Sequence, residues 1–295
     1  MHVPGAALAI VAGVGFSLAA AIEKHEVVAV GRAVSVPRLL PALAHRGWWL
    51  AAEAIGLLAW AAEAAALSLA PLAVVIPLMS SGGALLVFFG IQWLGERFKP
   101  IDFAALALVA VGAGAVAISA GAEPLSRMAL PGSTQLVVGG LALGASVALA
   151  ARHTGVAYGA AAGTLYVATA LFSKEVGDRL AVHGVSGVGL LAASPAPWAL
   201  ILLAVLAQAF VQAGFQRANA ATVAASMTAI AATGPVVAGL ALYREPYPDG
   251  TAGVVLAAGM GAVIVGATLL SMKAVPRGDY SPPEGQTKLR LGSFD

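Results

Sequence analysis

Long apolar runs separated by short polar stretches fill most of the chain. Such runs occupy positions 4–23, 48–69, 71–94, 101–121, 134–151, 155–173, 197–216, 218–242 and 250–272, nine in all. A hydrocarbon core about 30 Å thick is crossed by about 20 residues of helix, so each run predicts a transmembrane helix. Two intervening stretches interrupt the pattern. Residues 25–47 carry Arg32, Arg38, Arg46, Pro37 and Pro41 and read as a cytoplasmic loop with amphipathic character. Residues 181–196 hold only the short run Gly184 to Ser194 and read as a re-entrant or external loop. The first run ends near Ala19-Ala20-Ala21, which resembles a signal-peptide cleavage site, but no basic segment precedes it. It is therefore expected to be a helix of the mature protein.

Composition turns this pattern into a class. Of 295 residues, 60% are hydrophobic and 10% charged, against about 25% charge in a soluble domain; mean hydropathy is +0.89. With 35 Gly and only 6% aromatic residues, the chain suits close helix packing better than an aromatic-girdled barrel. The expected fold class is all-α, a polytopic helical membrane protein. A net charge of +2 gives no reason to expect a nucleic acid partner. The lack of cysteine excludes disulfides and thiolate metal sites, and the five His have no ligand spacing, so no cofactor is expected. Charge position then sets orientation. With the N-terminus outside, twelve Lys and Arg fall inside (24, 32, 38, 46, 97, 99, 152, 217, 273, 277, 288 and 290) and four outside (127, 174, 179 and 244). The positive-inside rule favours that arrangement, with the C-terminus in the cytoplasm.

Sliding the chain against itself by 149 to 150 positions aligns Gly13 with Gly163, Phe16 with Tyr166, Lys24 with Lys174, Trp49 with Trp198, Val74 with Val223, Glu96 with Glu245 and Gly112 with Gly261. The Trp, Lys and Glu matches carry the weight in an Ala-rich chain. Four helices per copy with one helix between copies separate equivalent helices by an odd number of crossings, which inverts the second copy. Inverted repeats are the architecture of alternating-access transporters. The expected organisation is a first repeat over 1–121, a connecting helix within 122–154, an inverted second repeat over 155–272 and a disordered cytoplasmic tail over 273–295.

Ionisable side chains inside spans cost roughly 2.5–3.5 kcal/mol on insertion scales, so those present are candidates for chemistry. Glu53 and Glu63 share the second predicted helix, roughly 15 Å apart along its axis and turned to within about 80° of each other. Glu63 falls opposite Gln212 in the repeat, and the two are placed to bracket a substrate. Glu63 reads as a cation or metal ligand or proton carrier, or else as a carboxylate bonded to neighbouring helices or near the headgroups. For Glu53, near its helix start, a snorkelling interfacial role stands beside a site role. Gln208 and Gln212, at i and i+4, either line a path or join helices. Pro77 with the following Ser80 and Ser81, and Pro235 within Thr233-Gly234-Pro235, predict helix breaks. Such breaks free backbone groups for ion coordination; the other reading is a packing kink with back-bonded hydroxyls. Asn219, Thr222 and Ser226 form a polar stripe or interhelical hydrogen bonds. Gly155, Gly159 and Gly163, and separately Gly140 and Gly144, form small-residue packing ridges. Lys24 and Lys174 read as snorkelling anchors at the ends of equivalent helices, or as a symmetric gate. No Walker A, H-E-x-x-H or G-x-S-x-G pattern is present, so neither direct ATP drive nor enzymatic activity is expected.

Gly15-Phe16-Ser17, the basic loop before Trp48-Trp49, Ser68-Leu69-Ala70-Pro71-Leu72 followed by Pro77-Leu78, Gly95-Glu96-Arg97, Ser173-Lys174, Trp198, Gln208 and Asn219 together resemble the drug/metabolite transporter (EamA-like) superfamily, and within it the NIPA-type magnesium transporters. The pattern departs at Ser226, where the family tends to have Pro. The resemblance implies a plasma (inner) membrane transporter of a small solute or cation, Mg²⁺ being the subfamily's suggested substrate. Metabolite or drug export and a non-transporting membrane scaffold are the alternatives. The partners expected are a small-molecule or cation substrate and the lipid bilayer, with a homodimer left open.

Overall fold

The computed structural model describes residues 3–31, 34–69, 79, 82–95, 98–119, 132–183, 189, 194–242 and 247–271. Among the described residues all regular structure is α-helical: α1 Val3–Val30, α2 Val36–Leu43, α3 Gly47–Leu69, α4 Gly82–Leu94, α5 Pro100–Ser119, α6 Gly132–Ala150, α7 Gly155–His183, α8 Pro195–Phe215, α9 Ala220–Leu242 and α10 Gly250–Ser271. Each apolar run of the sequence overlaps one of these helices. Four segments, Pro4–Val30, Pro195–Phe215, Ala220–Ala238 and Gly250–Leu270, are long and apolar enough to cross a bilayer. Leu85–Leu94, Pro100–Val116 and Leu136–Ala150 are shorter apolar helices. Hydroxyls inside the helices bond to their own backbone, as Ser17 to the Gly13 carbonyl at 2.8 Å, Ser119 to Ala115 at 2.7 Å and Thr164 to Ala160 at 2.9 Å, which satisfies them without water.

Several boundaries differ from the sequence pattern. α1 runs through the charged tetrad Glu23-Lys24-His25-Glu26 to Val30, because Val27 to Val30 continue its apolar face. It stops at Gly31, whose φ of 85° is the left-handed conformation that ends helices at little cost for glycine. The predicted loop 25–47 thus contains the end of α1 and the amphipathic helix α2, whose Leu39 and Leu43 are fully buried. α7 continues to His183, so Lys174 lies within it and ends nothing. α9 runs unbroken through Pro235; Thr233 donates to the Ala229 carbonyl at 2.7 Å, the back-bonded alternative to a break. Pro77, Ser80 and Ser81, the tail 273–295 and residues 184–188 and 190–193 of the second predicted loop lie outside the described residues.

Small residues set the closest helix approaches. α1 packs on α3, where a methyl group added at Gly15 would lie 2.8 Å from the Ala59 methyl. α5 packs on α10 with Gly112 and Gly259 facing each other's backbones. The Gly155, Gly159 and Gly163 ridge of α7 seats α9: a methyl at Gly159 would fall 2.6 Å from the Val223 carbonyl oxygen, and one at Gly163 2.6 Å from that of Met227. On α1, a methyl at Gly13 would fall 2.7 Å from the Met79 carbonyl oxygen. The expected second ridge is overturned. Gly140 and Gly144 of α6 have no neighbour within 4 Å of an added methyl, and the contact with α7 is made by Gly139 against the Phe172 ring.

At one end of the bundle α1 and α8 end while α3, α7 and α9 begin. Lys24, 1% exposed, donates from Nζ to the carbonyls of Phe215 and, at 2.6 Å, Ala218. It thereby caps the C-terminal carbonyls of α8, where a cation is favoured by the helix dipole. This corrects its reading as a snorkelling anchor: the ammonium finds its oxygens inside the protein. Glu26, also buried, accepts from Arg46 at the start of α3 and lies 3.4 Å from His25 Nδ1. Gln216 Nε2 donates to the Gly31 carbonyl at 2.9 Å, and Arg217 donates to the Ala213 carbonyl at 2.9 Å while lying 4.8 Å over the Tyr158 ring. These bonds tie α1 to α3 and to the α8–α9 turn.

Gly159→Val is expected to force α7 from α9 and destabilise the detergent-solubilised protein by about 1–3 kcal/mol, whereas Gly140→Ala should change stability by less than about 0.5 kcal/mol; comparative thermal unfolding checks both. Lys24→Met leaves the Phe215 and Ala218 carbonyls without their buried donor and should cost about 2 kcal/mol in the same measurement.

Candidate functional site

A second polar cluster adjoins the Lys24 cap, on residues of α8 that precede Phe215. α1 supplies Glu23, α3 supplies Glu53, and α8 supplies Gln208 and Gln212 from one face. Gln208 Nε2 reaches both carboxylates, donating to Glu53 Oε1 at 2.5 Å and Glu23 Oε2 at 3.2 Å. Gln212 Nε2 donates to the same Glu23 Oε2 at 2.5 Å. Glu23 is 8% exposed and Gln212 wholly buried; Glu53 and Gln208 are half-buried. Tyr166 of α7, also half-buried, stands within electrostatic range of both carboxylates. Counted at 1.5 Å per residue, Glu23 lies about 10 Å from the end of α1 at Val30 and Glu53 about 9 Å from the start of α3 at Gly47.

Two carboxylates bonded to one amide nitrogen concentrate negative charge among apolar helices. Buried carboxylates are costly unless paired or hydrogen-bonded; nearby, Lys24 bonds to carbonyls, Arg46 to Glu26 and Arg217 to the Ala213 carbonyl and the Tyr158 ring. The two glutamines are the observed hydrogen-bond donors to this pair. Gln212 Oε1 is buried with no hydrogen-bond partner. The arrangement presents acceptors and can hold a proton or a cation. Among the described residues, no group of three or more His, Cys, Asp or Glu could hold a metal ion.

The sequence-derived residues divide on this geometry. Glu53, Gln208 and Gln212 meet in one cluster. Gln212 bonds to Glu23. Glu63 is half-buried on α3, roughly 15 Å along the axis from Glu53, and makes no hydrogen bond to a described residue. Asn219 sits before α9, its carbonyl accepting from Val223 N at 3.2 Å. Thr222 and Ser226 are buried on α9, and Ser226 bonds back to the Val223 carbonyl at 2.9 Å against the Gly159 contact, a packing position.

Glu23 was hidden by its neighbours. Next to Lys24, His25 and Glu26 it reads as part of a polar helix end, and only the resumption of apolar residues at Val27 signals that the helix continues and carries the acid inward. Tyr166 stood in the repeat opposite Phe16, but an isolated aromatic residue gives no sign that it borders a carboxylate pair. No family model, curated protein or solved structure matches this chain.

Proposed function

We propose that the protein is a multi-pass membrane transporter that moves a small solute or cation by alternating access, with Glu23, Glu53, Gln208 and Gln212 forming its substrate site. The observation that carries this reading is the carboxylate pair on α1 and α3 held by a single α8 amide. Intramembrane ionisable residues that face a bundle interior mark substrate and ion pathways. The inverted-repeat reading has independent support in packing. Gly13 lies against the Met79 backbone and Gly163 against that of Met227, contacts that correspond within one residue at a shift of 148 to 150 positions. α1 on α3 matches α7 on α8, and α5 pairs with α10 as the fourth helices of the two copies would. In this reading the N-terminus is outside, the C-terminus is cytoplasmic in the plasma (inner) membrane, and the Lys24 and Arg46 contacts close the cytoplasmic end. The likeness to the drug/metabolite transporter superfamily agrees with this assignment. Magnesium, which is bound through one or two carboxylates and retained waters, is one cation that such a pair would accept.

In proteoliposomes loaded from a panel of cationic and neutral solutes, Glu23→Gln is expected to lower the flux of the transported solute at least tenfold, whereas Glu63→Gln should leave it within about twofold; each ratio is well resolved, tenfold being about 1.4 kcal/mol. Equal flux in wild type and Glu23→Gln would remove Glu23 from the site, and absence of flux for every solute in wild type would favour the scaffold alternative.

A further inference from the structure

The donors and acceptors around Glu23 are unequally matched, and the mismatch has a chemical complement. Both hydrogens of the Gln208 amide are taken, one by each carboxylate, and Gln212 directs its amide nitrogen to Glu23. Three acceptors are thereby gathered from three helices: the Glu23 and Glu53 carboxylates and Gln212 Oε1, which is buried and unpartnered. That oxygen belongs to the amide already bonded to Glu23, and so lies beside that carboxylate.

From this arrangement, and resting on the transporter reading above, the geometry points to a small organic amine as the cargo, bound through a primary ammonium group at Glu23, Glu53 and Gln212 Oε1. An ammonium carries three donors and no acceptor, one for each of these groups, and its charge offsets the carboxylates. An anion would meet two carboxyl groups, a repulsive pairing. A divalent ion that keeps most of its waters needs only one or two carboxylates, which this cluster also supplies, so competition by Mg²⁺ is the result that separates the two cargoes. Placement on α1, α3 and α8 also makes the ligand a crosslink between the two sequence repeats, so its occupancy would couple their relative position.

The test is calorimetric titration of the full chain in detergent micelles at constant ionic strength, with n-butylammonium, tetramethylammonium and Mg²⁺ chlorides as probes. The expected result is one n-butylammonium per chain, with tetramethylammonium, which has no N–H, at least tenfold weaker and Mg²⁺ failing to compete. Gln212→Leu should weaken n-butylammonium at least fivefold, and Glu23→Gln should abolish its binding. Equal affinity for the two ammonium ions, competition by Mg²⁺, or no ammonium binding to wild type would each overturn the inference; the last would leave the carboxylates as proton sites. The probe comparison in wild type needs no variant, so a poorly folded mutant does not blunt it. Binding without flux in liposomes would remove the transporter reading and leave the amine site, whereas flux of a different solute without ammonium binding would do the reverse.

Discussion

The arrangement of this protein depends on accommodating four consecutive polar residues, Glu23-Lys24-His25-Glu26, in a helix otherwise made for an apolar surround. Successive residues leave a helix about 100° apart, so each must find its own partner on a different side. Lys24 reaches the carbonyls that end α8, Glu26 meets Arg46 at the start of α3, and Glu23 meets the glutamines of α8. His25, beside Glu26, is more exposed. α1 is therefore held against α3 and α8 by directional bonds as well as by packing. Polar bonds of this kind specify one arrangement where apolar contact alone tolerates several.

Small residues perform the complementary task. Without a hydrophobic driving force between helices in lipid, association rests on close van der Waals approach and interhelical hydrogen bonds. Glycine at 155, 159 and 163 lets α9 lie against the α7 backbone, and glycine at 112 and 259 does so between α5 and α10. At 140 and 144 an added methyl would meet no atom of the described residues within 4 Å, so a spacing of four identifies an available surface and leaves its use to the surrounding helices.

Helix existence was legible because period and length in the sequence report directly on solvent. The α7 ridge was legible for a related reason: three glycines on one face have few other uses. Partner choice was not. Gln212 was placed on a polar face with Gln208, yet its bond to Glu23 was not foreseen, because Glu23 reads as part of a polar helix end. The ends of α1 and α7 were misjudged because charge was taken to mark the membrane surface. Lys24 shows why that fails: backbone carbonyls at a helix end can replace headgroups and water for a buried ammonium. Pro235 likewise lacks one backbone donor, yet the surrounding helix continues through it.

The three bonded side chains of α1 also make this segment intolerant of changes in chain length. Deleting or inserting a single residue between Phe16 and Glu23 would turn Glu23, Lys24 and Glu26 together by about 100°, carrying each away from its partner on a different neighbouring helix. Substitutions of Ala for Leu or Val in the same stretch preserve that register. Natural variation between these two positions should therefore be rich in exchanges of apolar residues and poor in gaps.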